Sequence, residues 1–182
     1  IEPEWAGQCE SHGCVEVHCG DSRSLPWPEG RFGAVCTSPA FGNRLADSYA
    51  PDDVGSEGRR SHRTRRSYRL SLGRNLSGGS GAAMHWGDGY RELHQAVLHE
   101  SLRTLKAGGL VVLDVKDHIR KGVLQQVPRW WHEACGHEGL TFVKGILVAL
   151  SGDQNTARHR AQGRTTVDYE EILVFKKQVA AW

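Results

Sequence analysis

The chain has 182 residues, 38% of them hydrophobic, which suits one buried core and asks for no second domain. A net charge of +2 is too small to point to nucleic acid by itself, so such a partner must be argued from where the charges lie. No apolar run approaches the roughly 20 residues of a membrane span and nothing resembles a secretory signal, so a cytoplasmic protein with no membrane partner is expected.

In chain order, Pro3 to about Cys9 reads as the start of a helix and Val15 to Cys19 as a short strand leading into Asp21. Cys9, Cys14 and Cys19, with His12 and His18 between them, carry donors that zinc accepts. They lack the paired Cys-x-x-Cys spacing of regular sites. Cys19 and Cys36 fall at strand positions where free cysteine acts as a small buried hydrophobe, so no metal is expected. After the loop Pro26-Trp27-Pro28-Glu29-Gly30, Arg31 to Thr37 enters the next strand.

That strand runs through Ala34-Val35-Cys36 into Thr37-Ser38-Pro39-Ala40-Phe41-Gly42-Asn43. In an open α/β sheet, ligands sit at the carboxyl ends of the strands, so this polar turn suits a flat, polar molecule. A planar base would stack on Phe41 while its exocyclic amine donates to the Ser38 hydroxyl and the Pro39 carbonyl. The plain alternative is a proline turn closing a buried strand.

A long Gly/Ser-rich insertion follows, from Asn43 to Gly89. Within it lie Arg59, Arg60, Arg63, Arg65, Arg66, Arg69 and Arg74 with no acidic residue from Arg59 to Arg74, interleaved with His62, Ser67 and Tyr68. Arginine forks bind phosphates, and Tyr68 or Trp86 would stack on a displaced base; the alternative is a solvated loop. From Tyr90 to Leu105, the positions Leu93, Val97, Leu98, Leu102 and Leu105 share one helical face, with Gly108-Gly109 expected to stop the helix. Leu110 to Val115 is nearly continuously apolar, as a central parallel strand should be. Pro128 opens a helix carrying Trp130 and Trp131, closed near Gly136 to Gly139. Thr141 to Leu150 and Tyr169 to Lys176 read as two strands. Their polar connection carries Arg158, His159, Arg160 and Arg164, a second basic patch. Asp114, Lys116 and Asp117 at the later strand's end either line a base pocket or solvate the sheet edge.

The Ser38-Pro39-Ala40-Phe41 segment resembles the Ser/Asp/Asn-Pro-Pro-aromatic signature of S-adenosylmethionine-dependent amino-methyltransferases, which methylate adenine N6 or cytosine N4 in DNA. Ile1-Glu2-Pro3-Glu4-Trp5-Ala6, Cys19-Gly20-Asp21-Ser22 and the passage from Leu105-Lys106-Ala107-Gly108-Gly109 to Asp117 are similar to three further segments of these enzymes, in the same order. The run from Tyr68 through Leu72-Gly73-Arg74 to Trp86-Gly87, Tyr90 and His94 resembles a phage or actinobacterial subgroup.

The resemblance implies an α/β fold: a Rossmann-like S-adenosylmethionine-dependent methyltransferase sheet ending in an antiparallel hairpin, in one domain. It implies that Ser38, Pro39, Ala40 and Phe41 hold a flipped base, that Asp21 and Ser22 hold the cofactor's adenine, and that Ile1 packs on the adenine ring. The acid that holds the ribose in the family would precede Ile1, which leaves Glu2 as a weaker candidate. No Phe-x-Gly-x-Gly turn occurs and the chain begins with Ile1, so an amino-terminally truncated domain, lacking its first strand and glycine turn, is expected. Ala40 replaces the second proline of the signature, which should soften the turn. Asp21 before Ser-Arg-Ser is by spacing a turn cap, a preference that the family order reverses. The implied partner is DNA. RNA or tRNA base methylation, and a non-catalytic nucleic-acid-binding remnant, are the alternatives.

Overall fold

A computed structural model of the chain describes residues 18, 20–40, 81, 84–120, 123–150, 160–163 and 165–179. Among these residues the elements run β1 (Phe32–Thr37), α1 (Asp88–Thr104), β2 (Leu105–Val115), β3 (His118–Arg120), β4 (Val123–Gln125), α2 (Val127–His137), β5 (Leu140–Ala149) and β6 (Tyr169–Lys177). One sheet has the spatial order β1, β2, β6, β5; β1 is parallel to β2, and β6 is antiparallel to both its neighbours. Joining two parallel strands needs a long crossover, and the connection from β1 to β2 contains α1.

The expected closing hairpin is present, with β5 paired to β6 from Leu140 opposite Lys177 to Ala149 opposite Tyr169. Its second strand enters the sheet between β2 and β5, placing Phe175 opposite Val111 and Leu173 opposite Leu113.

Alternation along the strands decides what is buried. Val111, Leu113 and Val115 of β2 and Leu173 and Phe175 of β6 share a core with Leu98 and Leu102 of α1 and Trp131, Ala134 and Cys135 of α2. Each larger side chain so buried contributes about 1.5–3 kcal/mol. The continuous burial expected from Leu110 to Val115 is not found: Leu110 is 37% exposed, and Val112 and Asp114 are half-buried.

The helix expected over Tyr90–Leu105 forms as Asp88–Thr104, with Tyr90, His94, Leu98, Ser101, Leu102 and Thr104 buried; Leu93 and Val97 are only half-buried. The Lys177 ammonium donates to the carbonyls of Leu102 and Leu105 at 2.7 and 2.8 Å, satisfying acceptors at the helix end. Gly108 and Gly109 therefore do not stop α1. They lie within β2, which bulges against β1 between the Phe32–Leu105 and Ala34–Leu110 pairs. Gly108 has a φ of 76°, and a Cβ on Gly109 would sit 2.9 Å from the Lys106 carbonyl oxygen.

Pro128 stands in the first turn of α2, and Gly139, at a φ of 78°, lies just beyond its end. The buried Asp117 carboxylate accepts the Val127 backbone N–H at 2.8 Å, so it caps this helix from across a loop. Of the roles expected of Asp117, edge solvation is excluded by its burial. The β3–β4 hairpin, which the sequence pattern does not suggest, is tied down by Arg120, whose guanidinium donates to the Trp86 carbonyl at 2.7 Å.

Cys36, expected to be buried, is exposed, because the burial pattern of β1 leaves it on an uncovered face; among the described residues Cys135 is the buried thiol. The expected helix from Pro3 and strand from Val15 lie, His18 apart, outside the described residues. Among the described residues, no helix is long and apolar enough to cross a membrane and no cluster of metal-ligating side chains occurs.

Candidate functional site

At the carboxyl end of β1, Ser38 is exposed and Pro39 and Ala40 are half-buried. The Tyr90 hydroxyl, from the first turn of α1, donates to the Ala40 carbonyl at 2.6 Å. The Tyr90 ring is 2% exposed, stacks on His94 at a centroid distance of 3.9 Å and lies 5.2 Å from Trp86. Burial pushes its phenol well above the usual range, so it remains a donor at neutral pH. His94 Nδ1 lies 2.8 Å from the Tyr90 carbonyl, and since a carbonyl only accepts, Nδ1 carries the proton. Desolvation lowers the His94 pKa, while this hydrogen bond opposes the shift.

The softness expected from Ala40 is thus met by a clamp on its carbonyl. The Ser38 hydroxyl and Pro39 carbonyl have no hydrogen-bond partner among the described residues. Behind the turn, Pro39, Tyr90, Val115, Lys116, His118 and neighbouring apolar side chains enclose a cavity of about 10 Å³. Both His118 ring nitrogens are buried without a partner, and desolvation lowers that pKa too. Lys116 faces Glu170 at 4.0 Å.

Asp21 and Ser22 lie on a separate, exposed turn. The Arg23 backbone N–H donates to Asp21 Oδ1 at 2.9 Å, and the Arg23 guanidinium forks onto both carboxylate oxygens. Arg23 holds the Asp21 carboxyl down at about 2. The capping role that spacing favours is therefore realised. These contacts engage both carboxylate oxygens, so Asp21 fits an adenine amine only when Arg23 turns away. The loop beyond it is fixed on α1: Glu100 accepts the Leu25 N–H at 2.7 Å, Arg103 donates to the Leu25 carbonyl at 3.1 Å, and the Gly30 N–H donates to the Arg103 carbonyl at 3.0 Å.

Of the other expected site residues, Ile1, Glu2, Phe41, Arg59, Arg60, Arg63, Arg65, Arg66, Tyr68, Arg69, Arg74 and Arg158 lie outside the described residues. Arg160 is described, and its exposed guanidinium pairs with the Asp168 carboxylate. Trp86 offers no open stacking face, being 7% exposed and packed among Tyr90, His118 and Trp130.

The mixed sheet, with its last strand inserted antiparallel beside a parallel pair and a polar turn at a strand's carboxyl end, defines a methyltransferase-like α/β fold. The solved structures that share it include a candidate DNA modification methylase of Thermus thermophilus complexed with S-adenosyl-L-methionine. That match has 16% identity and a TM-score of 0.53, over 90% of this chain and 55% of the other. A second structure of the same Thermus thermophilus protein matches at 17% identity and a TM-score of 0.52, over 91% of this chain and 55% of the other. The chain thus spans about half the length of the structures it matches. No family model and no curated protein matches the sequence.

The residue that sequence reasoning misses is Tyr90. It is among the positions resembling one subgroup, but no spacing rule joins residue 90 to residue 40, since their contact arises only when the crossover folds back.

Proposed function

We propose that this chain is the catalytic part of an S-adenosylmethionine-dependent DNA methyltransferase acting on the exocyclic amine of adenine (N6) or cytosine (N4). The observation that carries this reading is the turn after β1, where an exposed Ser38 and a half-buried Pro39 stand at the strand's carboxyl end while Tyr90 holds the Ala40 carbonyl. The fold shared with a structure holding S-adenosyl-L-methionine supports the choice of cofactor.

When bound, the cofactor supplies a methyl group on a positively charged sulfur. The protein's part is positional: Ser38 Oγ and the Pro39 carbonyl accept the two amine hydrogens, which turns the nitrogen lone pair toward the methyl. Phe41 would provide the stacking surface. No strong base is required, because an amine that has gained a methyl and a positive charge releases its proton readily. Asp21 and Ser22 would hold the cofactor's adenine once Arg23 swings aside, with Ile1 against the ring and Glu2 near the ribose. The arginines from Arg59 to Arg74, with Tyr68, and Arg158 would meet the phosphates.

The test is transfer of labelled methyl from S-adenosylmethionine to duplex oligonucleotides of mixed sequence, followed by nucleoside analysis. N6-methyladenine or N4-methylcytosine is expected, lost in Ser38→Ala. Methylation of transcripts in preference to duplex DNA would favour an RNA base methyltransferase. Salt-sensitive DNA binding with no transfer and no response to the cofactor would mark a binding remnant.

A further inference from the structure

The small cavity behind the turn after β1 is where buried polar groups without partners converge. Pro39, Tyr90 of α1, His118 of β3 and Trp131 of α2 are among the residues that line it. Its volume, about 10 Å³, admits one molecule the size of water.

Two of these side chains carry polar atoms that nothing else meets among the described residues. Trp131 is 2% exposed, and its indole Nε1 is buried with no hydrogen-bond partner. An indole N–H only donates. His118 has both ring nitrogens in the same condition, and in a neutral imidazole one of the two is always an acceptor. Burial favours that neutral form. The wall thus holds one obligate donor and one acceptor, and leaving both unmet away from solvent is costly. Packing keeps the two rings where they are: Trp131 lies edge-on to His94 at a centroid distance of 5.8 Å, and His118 edge-on to Trp86 at 6.1 Å. Water is the ligand of the right size that accepts from the one and donates to the other.

A third group completes the set. Tyr90 gives its one hydroxyl hydrogen to the Ala40 carbonyl at 2.6 Å, so its oxygen retains lone pairs with which to accept. We propose that the cavity binds one water, which accepts from Trp131 Nε1–H and donates to a His118 ring nitrogen and to the Tyr90 hydroxyl oxygen. With its second hydrogen on that oxygen, the water polarises the phenol and strengthens its bond to Ala40. His118 and Trp131 are then positioning residues: they act on the turn through the water and Tyr90, and touch no substrate. The consequence for the reaction rests on the methyltransferase reading, whereas the water itself does not.

The experiment is rotating-frame water–protein Overhauser spectroscopy on the full, isotope-labelled chain, with methyl transfer followed in parallel. The Trp131 indole N–H, assigned by its loss in Trp131→Phe, should show a cross-peak at the water frequency with sign opposite to the diagonal, which marks a nearby bound water and not hydrogen exchange. The peak should vanish in His118→Phe, which removes the acceptor. No such peak in the wild type, or one that persists at full strength in His118→Phe, would overturn the site. In the transfer assay His118→Phe should lower kcat about threefold with KM for cofactor and duplex unchanged, and should have no further effect in a Tyr90→Phe background, where the relay is already cut. An equal loss in both backgrounds would overturn the link to the turn. Absence of transfer by the wild-type chain would overturn the methyltransferase reading alone, and the spectra would still decide the water.

Discussion

Tyr90 and Ala40 are joined by a 2.6 Å hydrogen bond from phenol to carbonyl, across the whole insertion that separates β1 from α1. Removing the hydroxyl leaves the carbonyl of a half-buried turn without its donor, at a cost of about 1–2 kcal/mol. Tyr90→Phe should therefore lower the rate of methyl transfer about tenfold with little change in cofactor affinity. Ala40→Pro should raise turnover and soften the effect of Tyr90→Phe, since the ring would stiffen the turn that the phenol now holds. Equal effects of Tyr90→Phe in both backgrounds, measured as a double-mutant cycle, would show that the two devices act independently.

Arg23 guards the proposed cofactor carboxylate. Arg23→Ala frees both oxygens of Asp21 and lets its pKa return from about 2 toward the usual 3.8. Cofactor affinity, read by titration calorimetry, should rise about threefold. Weaker binding would mean that Arg23 itself touches the cofactor.

His94 makes the structure sensitive to mild acid. Its native pKa is lowered from 6.5 by desolvation, as is that of His118, so the unfolded chain takes up protons that the native chain refuses. Stability is then complete above about pH 6.5 and falls as the pH drops toward the lower native values, by up to about 1.4 kcal/mol per pH unit for each group. Asp21 and Glu100, both held near 2, lose their contribution only at lower pH, below the ordinary carboxylate range. The melting temperature should drop by several degrees between pH 7.5 and 5.5, and His94→Phe should reduce that drop. An unchanged slope in His94→Phe would assign the effect to His118.

The bulge of β2 should tolerate little. Gly109→Ala brings a methyl against the Lys106 carbonyl and the Leu105 side chain, at an expected cost of about 1–3 kcal/mol. Gly108, at positive φ, should accept asparagine better than valine. Urea unfolding midpoints would rank the three variants.

The sequence displays what depends on local chemistry. The strand ending at Thr37, the helix opened by Pro128 and the closing hairpin are all readable from periodicity and turn residues. The glycine pair at 108 and 109 misleads because a helix stop and a strand bulge ask for the same residue, and only the register with β1 separates them. Asp117 misleads because its partner, the Val127 N–H, belongs to a helix that begins after an intervening hairpin. The pinning of Asp21 by Arg23 is legible, since the Asx turn is formed by neighbours, whereas the hold of Tyr90 on Ala40 is a product of topology. The basic run from Arg59 lies outside the described residues and stands as composition alone.

The place of β6 bears on how the molecule is born. A ribosome releases β5 before β6, yet among the described residues β5 pairs only with β6, which separates it from β2. Until residues 169–177 emerge, Leu140–Ala149 lacks the strand it pairs with among the described residues, and the edge of β2 that β6 will cover stays open. Nascent β5 carries Phe142, Val143, Ile146, Leu147 and Val148, all of them exposed even in the finished fold, so that interval is when the chain is most prone to stick to its own kind. Translation speed across the β5–β6 connection should therefore govern how much of the product is recovered in solution.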